Sequence, residues 1–255
     1  MNKKKVIKII SYILIAIFIA ATVYIVIDII NSNEGEVEVP KLQIYDEQQS
    51  GENKQKVTRE MEIVNAIKEL EKENHEVIGW VEIEGTNISY PVFQTYNNDY
   101  YVTYNYKGKK SKDGALFLDM NYDLSKPSSN LLIYGHNNQN GKMFSDLLKY
   151  KSEKYYKKHP IITFTTQKGE EKYEIIAAFY SKVYYTHETN VFRYYYFVDA
   201  KNEKEYNEYV SNCVKASIYK TGKTAKYGDK LITLSTCSYH TEDGRFAVVG
   251  RKIDN

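Results

Sequence analysis

Asp229-Lys-Leu-Ile-Thr-Leu-Ser-Thr-Cys237, a polar turn through Gly244, and then Arg245-Phe-Ala-Val-Val-Gly-Arg251 form the stretch that decides the fold. Residues 231–234 are apolar and partly β-branched, the composition of a short buried strand. Two hydroxyl residues and Cys237 end that strand, and Arg245 opens a second apolar run. A strand–turn–strand unit of this kind sets a thiol near a guanidinium. A fixed positive charge favours thiolate over thiol, and the thiolate is the nucleophile. A free cysteine is also commonly a small buried hydrophobe. The spacing alone fits a nucleophile and a core filler equally well.

Outward from this unit, the chain carries further short apolar segments bounded by turn residues. They lie at 77–83, 88–94, 115–120, 131–134, 161–166 and 173–180, followed by the strands at 231–234 and 246–253. This pattern predicts a mainly β protein with flanking helices, a single closed or nearly closed β-barrel of about eight strands. Between 57 and 70, Met61, Val64, Ile67 and Leu70 recur every third residue, with Ile63 and Ala66 beside them. That predicts an N-terminal helix of about four turns lying against the domain, with Thr58 as its cap. Two more helical segments are expected, at 143–156 and at about 202–219, the second within the insertion before the cysteine strand.

The N-terminus has a different character. Lys3, Lys4, Lys5 and Lys8 precede a run from 9 to 27 that holds no charge and ends at Asp28. About 19 to 22 helical residues at 1.5 Å each reach roughly 30 Å, the thickness of a bilayer core. The lysines ahead of the run set the N-terminus on the cytoplasmic side and the remainder outside. The alternative is a cleaved signal peptide, but no small-x-small site follows the run. The expected organisation is a basic tail at 1–8, a membrane span at 9–30, a polar stalk at 31–56 and an extracellular domain at 57–255.

The charge balance of 35 basic against 33 acidic residues gives a net +2 over 255 residues, so no global field favours nucleic acid, and none is expected as a partner. The only two cysteines, Cys213 and Cys237, exclude a disulfide scaffold, and both are expected as free thiols. Cys213 sits at helical spacing from Tyr206 and Val210, a half-buried helix position. Scattered histidines and unclustered acids lack ligand spacing, so no metal or other cofactor is expected. The 26 tyrosines reflect composition more than function, except where Tyr184, Tyr185, Tyr194, Tyr195 and Tyr196 cluster. That cluster fits an aromatic wall for a ligand or the packing of a barrel edge.

A cysteine nucleophile needs a proton carrier, and five histidines are candidates. His75, His159 and His187 occupy polar or turn-like contexts. His240 shares the turn after Cys237, but adjacency within a loop rarely gives the required angle. His136 fits better. Leu131-Leu-Ile-Tyr134 is an apolar strand, Gly135 allows a sharp exit, and His136 is delivered at the rim where Cys237 and Arg245 are expected.

These residues together resemble a known family. Tyr134-Gly135-His136, Gly141-Lys-Met-Phe-Ser-Asp-Leu-Leu-Lys-Tyr150 and Thr233-Leu-Ser-Thr-Cys237 with Arg245 eight residues on are similar to the sortases, class B in particular. Tyr90-Pro-Val-Phe-Gln94, Gly114-Ala-Leu-Phe-Leu-Asp119 and the helical insertion before the cysteine strand fit the same class. The resemblance covers about 57–253. It implies a cysteine transpeptidase of Gram-positive bacteria that cleaves surface proteins after a threonine in a C-terminal sorting signal and transfers them to an amine of the peptidoglycan precursor or cross-bridge. His136, Cys237 and Arg245 would carry the reaction. Asn105 and Tyr134 would line the substrate groove. Ser235 and Thr236, just before the nucleophile, fit substrate-backbone binding and ordinary strand hydrogen bonding equally. The rival readings are a membrane-tethered cysteine peptidase that releases product by hydrolysis, and an anchored binding domain whose cysteine is inert.

Overall fold

A computed structural model describes residues 3–34 and 52–254. In chain order the helices are α1 (Lys3–Glu34), α2 (Glu52–Glu73), α3 (Tyr100–Thr103), α4 (Glu153–Lys158) and α5 (Glu203–Ala216). The strands are β1 (Val77–Glu82), β2 (Ser89–Phe93), β3 (Leu116–Leu118), β4 (Asn130–Tyr134), β5 (Ile161–Thr166), β6 (Gly169–Lys182), β7 (Leu231–Cys237) and β8 (Gly244–Ile253). They close into a mixed barrel in the order β1-β2-β3-β4-β7-β8-β6-β5, as the strand pattern predicts. The β2–β3 and β4–β7 pairs are parallel and the remainder antiparallel.

Side chains alternate faces along a strand, and here both faces are buried. Leu131 and Ile133 of β4, Ile232 and Leu234 of β7, and Phe246 and Val248 of β8 fill the barrel interior. Leu132, Leu231, Ala247 and Val249 face outward, beneath Tyr206, Tyr209, Val210 and Cys213 of α5. That apolar stripe at i, i+3, i+4 and i+7 holds α5 against the barrel wall. The helix starts where Asn202 accepts a hydrogen bond from the Glu205 amide, a side-chain cap that satisfies one open backbone donor.

The segment expected as one helix at 143–156 is instead a 3-10 turn over Ser145–Lys151 followed by α4. Ser152, with extended backbone angles, separates them and caps α4. The buried residues Phe144, Leu147 and Tyr150 recur every third position, which matches the three residues per turn of a 3-10 helix.

The N-terminal helix α2 begins at Glu52, so Thr58 lies within it and not at its start. Met61, expected on its apolar face, is exposed; the buried stripe is Ile63, Ile67 and Leu70, packed on Trp80, Phe93 and Tyr101. Spacings of four and three keep a stripe on one side of a helix, whereas a strict repeat of three drifts around it. Arg59 of α2 reaches Glu82 at 2.5 Å, and Glu82 also accepts from Ser89 at 2.7 Å, which fastens α2 to β1 and β2.

Of the expected stalk, residues 31–34 continue α1 and 52–56 begin α2, and the part between lies outside the described residues. In α1, Ile10–Ile27 has a mean hydropathy of 2.7 with none of its span buried against the protein.

Candidate active site

The cysteine strand and its neighbours present the same side at one rim. Cys237 and Arg245 are direct cross-strand partners at the open end of β7 and β8. Parallel pairing of β4 with β7 sets Tyr134 beside Ser235. Two residues further along the same register, His136 comes level with Cys237. Hydrogen bonds continue past the last paired residues: the Gly135 amide donates to the Ser235 carbonyl at 3.1 Å, and the Thr236 hydroxyl donates to the Gly135 carbonyl at 2.7 Å. Next, the Asn137 side-chain amide donates to the Cys237 carbonyl at 3.2 Å. Strand alternation puts Tyr134 and His136, Ser235 and Cys237, and Arg245 on the outer face of the barrel. The fold therefore gathers the three residues proposed from sequence.

Each has its own setting. Both cysteines are free; Cys237 is half-buried and Cys213 fully buried, and burial pushes the Cys213 thiol far above its usual range. The Nε2 of His136 lies 2.8 Å from the Val102 carbonyl. Arg245 is half-buried and its Nη1 donates to the Gly244 carbonyl at 3.0 Å and the Asp243 carbonyl at 3.3 Å. Among the described residues it has no carboxylate partner. Among the described residues its remaining guanidinium N–H groups have no hydrogen-bond acceptor.

Gly244 can only be glycine. A Cβ there would collide with the Ser238 carbonyl and come within 2.9 Å of His240 Nδ1 and the Thr241 carbonyl. The tightness of this turn is what brings the start of β8 up to Cys237.

The remaining candidates are engaged within the protein. The Ser235 hydroxyl is buried, 2.6 Å from the hydroxyl of Tyr194, which is itself fully buried and lies between β6 and α5 in the chain. Burial pushes the Tyr194 phenol up, against the pull of the Ser235 hydrogen bond and the Arg245 charge; Cys237 also lies within its electrostatic reach. Thr236 is buried and spends its hydroxyl on Gly135. Tyr134 is half-buried and donates to Asp119 at 2.9 Å, with burial and then the Asp119 charge pushing its phenol up. Asn105 is buried, and its side-chain oxygen accepts from the Lys107 and Lys109 amides at 3.0 and 3.1 Å. All four side chains thus make hydrogen bonds within the protein, and substrate contact by them stands as a proposal.

The tyrosine cluster splits. Tyr194 packs edge-on to Phe179 in the outer core, and the Tyr195 hydroxyl accepts from the Tyr184 amide at 2.9 Å. Tyr185 and Tyr196 are exposed, with Arg193 over the Tyr184 and Tyr196 rings.

The other histidines lie elsewhere or face elsewhere. His240 Nδ1 is 2.9 Å from the Ser238 hydroxyl, and its ring packs on Tyr180. His159 bonds the Glu84 carbonyl, His187 stacks on Tyr185, and His75 is exposed.

Three participants in this arrangement were missed from sequence. In the sequence Tyr194 stands only as one of a cluster, and Asn137 as one polar residue in a run of them after His136. The Val102 carbonyl carries no residue-type signal at all, because every residue has one.

The structure thus presents a closed mixed barrel with a free, half-buried cysteine and its cross-strand arginine at one rim. The sortase domain family matches residues 81–253. Sortase B of Listeria monocytogenes is 31% identical over 194 residues, covering 75% of this chain and 76% of the relative. Sortase B of Staphylococcus aureus is 28% identical over 186 residues, covering 72% and 73%. A crystal structure of the latter enzyme superposes with a TM-score of 0.68 at 25% identity, covering 79% of this chain and 93% of that one. Clostridium perfringens sortase B gives 0.66 at 29% identity, covering 73% and 99%. The chain belongs to the sortase family, and within it to the sortase B type: a cysteine transpeptidase of surface-protein anchoring that acts on sorting-signal substrates and peptidoglycan amines.

Proposed function

We propose that Cys237, His136 and Arg245 carry the transpeptidation, and that the sorting signal is cut after a threonine. The Cys237 sulfur attacks the threonine carbonyl carbon, forming a C–S bond and a tetrahedral oxyanion. Collapse breaks the C–N bond, and His136 protonates the departing amine, since an amide nitrogen does not leave as an anion near neutral pH. An amine of the peptidoglycan precursor or cross-bridge then attacks the thioester, gives its proton to His136, and releases the thiolate. Arg245 holds the oxyanion through charge-assisted hydrogen bonds.

The observation that carries this reading is the cross-strand pairing of Cys237 with Arg245, with His136 brought level by the β4–β7 register. A guanidinium held only by carbonyls keeps its full charge at the thiol, where a carboxylate partner would cancel it.

The N-terminal helix is read as an uncleaved anchor in the cell membrane, with the lysines cytoplasmic and the catalytic domain extracellular. Ile10–Ile27 spans about 27 Å as a helix, close to the roughly 30 Å of a bilayer core. A signal peptide would instead leave the mature protein without these residues. N-terminal sequencing of membrane-extracted protein distinguishes the two, the anchor predicting that the helix is retained.

Incubating the protein with a sorting-signal peptide and a short glycine amine tests the chemistry. Mass spectrometry should find an acyl adduct on Cys237 and an amide product. An adduct elsewhere overturns the assignment of the nucleophile, and carboxylic acid alone, at any amine concentration, overturns transfer.

A further inference from the structure

The His136 ring sits against a wall that neither its sequence context nor the reaction explains. Its Nε2 is 2.8 Å from the carbonyl oxygen of Val102 in α3. A carbonyl only accepts, so Nε2 must carry the hydrogen of this bond and the neutral ring must keep its lone pair on Nδ1.

The wall is built to stay in place. Val102 is flanked on both sides by backbone anchors: the Ala115 amide donates to the Tyr101 carbonyl at 3.0 Å, and the Ser111 amide to the Thr103 carbonyl at 2.9 Å. The buried Tyr101 phenol donates to Glu76 at 2.5 Å and accepts from Asn74 at 2.8 Å.

Gly114 leaves the room for the ring. It has a positive φ of 59°. A Cβ on it would meet the Tyr101 carbonyl, and would stand 3.1 Å from His136 Cδ2 and 3.2 Å from the Val102 oxygen. The side chain missing at Gly114 is therefore one that would push the imidazole off its carbonyl.

Direction follows from strand order. Gly114 leads into β3, on one side of β4, and Cys237 ends β7, on the other. The Nε2–Cδ2 edge of the ring faces the β3 side, which turns the opposite edge, with Nδ1, toward β7.

We infer that Gly114 and the Val102 carbonyl form a cradle that fixes His136 as the Nε2–H tautomer and aims Nδ1 at the reacting atoms. Nδ1 is then the nitrogen that takes the Cys237 proton and returns it to the leaving amine, while Nε2 keeps its own proton throughout. Gly114 acts as a positioning residue, through His136 and not on the substrate. The inference rests on the proposed role of His136 and adds which nitrogen works and what holds it.

Nitrogen-15 NMR of histidine-labelled protein, at a pH where His136 is neutral, reads the tautomer without any activity. The expected result is a pyrrole-like Nε2 and a pyridine-like Nδ1; a ring with its proton on Nδ1, or an even mixture, overturns the cradle. Gly114→Ala should lower the single-turnover rate of acyl-enzyme formation by about 10-fold or more with KM nearly unchanged, since small misplacements of a proton carrier are costly. It should also blur the tautomer signal. Gly222→Ala is the control for backbone cost alone, because Gly222 has a φ of 72° and open space around its Cβ position. It should alter neither rate nor tautomer. A Gly114→Ala enzyme as fast as the parent overturns the inference. Where that variant does not fold, the tautomer of the parent protein decides. Full activity in His136→Ala would be a different failure, that of the reaction assignment itself.

Discussion

Cys237 and Arg245 face each other across β7 and β8 as direct cross-strand partners, on the outer surface of the barrel. The tight turn at Gly244 sets the register, so the guanidinium position depends on a backbone hairpin and not on a flexible tether.

Cys237→Ala should abolish the acyl adduct and all transfer, and His136→Ala should reduce transfer nearly as far, by at least about a hundredfold for loss of a general acid–base. His240→Ala should keep most of the activity, because its ring is held by Ser238 and Tyr180. Steady-state rates of peptide-to-amine transfer for the three variants check this. Comparable losses at His240 and His136 would exchange their roles.

Arg245→Lys keeps the charge but not the planar fork, and should fall well below the parent enzyme, about tenfold or more in kcat/KM. Thiol alkylation by a neutral electrophile should change less than transfer does, since the positive charge near Cys237 remains. Equal kcat/KM for lysine and arginine would reduce this residue to a source of charge.

Tyr194→Phe removes one hydroxyl from a buried pair and leaves the Ser235 hydroxyl without its 2.6 Å partner. An orphaned buried polar group costs about 1–3 kcal/mol. Urea unfolding of the catalytic domain should show a loss in that range. A variant as stable as the parent would mean that Ser235 finds another partner.

Glu174 of β6 is paired with Arg251 of β8 and, at 2.8 Å, with Lys223. Partial burial pushes its carboxyl pKa up, but hydrogen bonds from Lys223 and Arg251 and their charges outweigh it, so the net shift is downward. A carboxylate whose folded pKa is depressed stabilises the fold above its unfolded value, about 4.3, and that contribution is lost as pH falls through the folded value. Glu174→Gln should therefore be less stable than the parent at pH 7, with the gap closing below about pH 4. Thermal melts at both pH values measure it; a gap that widens in acid would refute the sign.

The strands were legible because each one states its own period. Both faces of β4 and β7 are buried, so they read as continuous apolar runs, and Gly135 and Gly244 mark where the chain must turn. The proximity of Cys237 and Arg245 was legible for the same local reason, as a hairpin fixes its own register. Helix detail was harder. Phe144, Leu147 and Tyr150 look like one side of an α-helix until the barrel wall selects the tighter 3-10 winding, and Met61 looks apolar-facing until Ile63 is seen to take the core.

Sequence by itself determined the strand set, the thiol with its neighbouring guanidinium, and His136 as the histidine delivered at a strand end. Only the tertiary structure decided that Asn137 would reach the backbone of Cys237 from 100 residues away, that the Ser235 hydroxyl would turn to Tyr194, and that a carbonyl of α3 would hold the imidazole. Parallel pairing joins segments with no turn between them to encode it, and a main-chain oxygen belongs to every residue alike. Such contacts depend on how distant segments meet in the closed barrel, which no local stretch of sequence specifies.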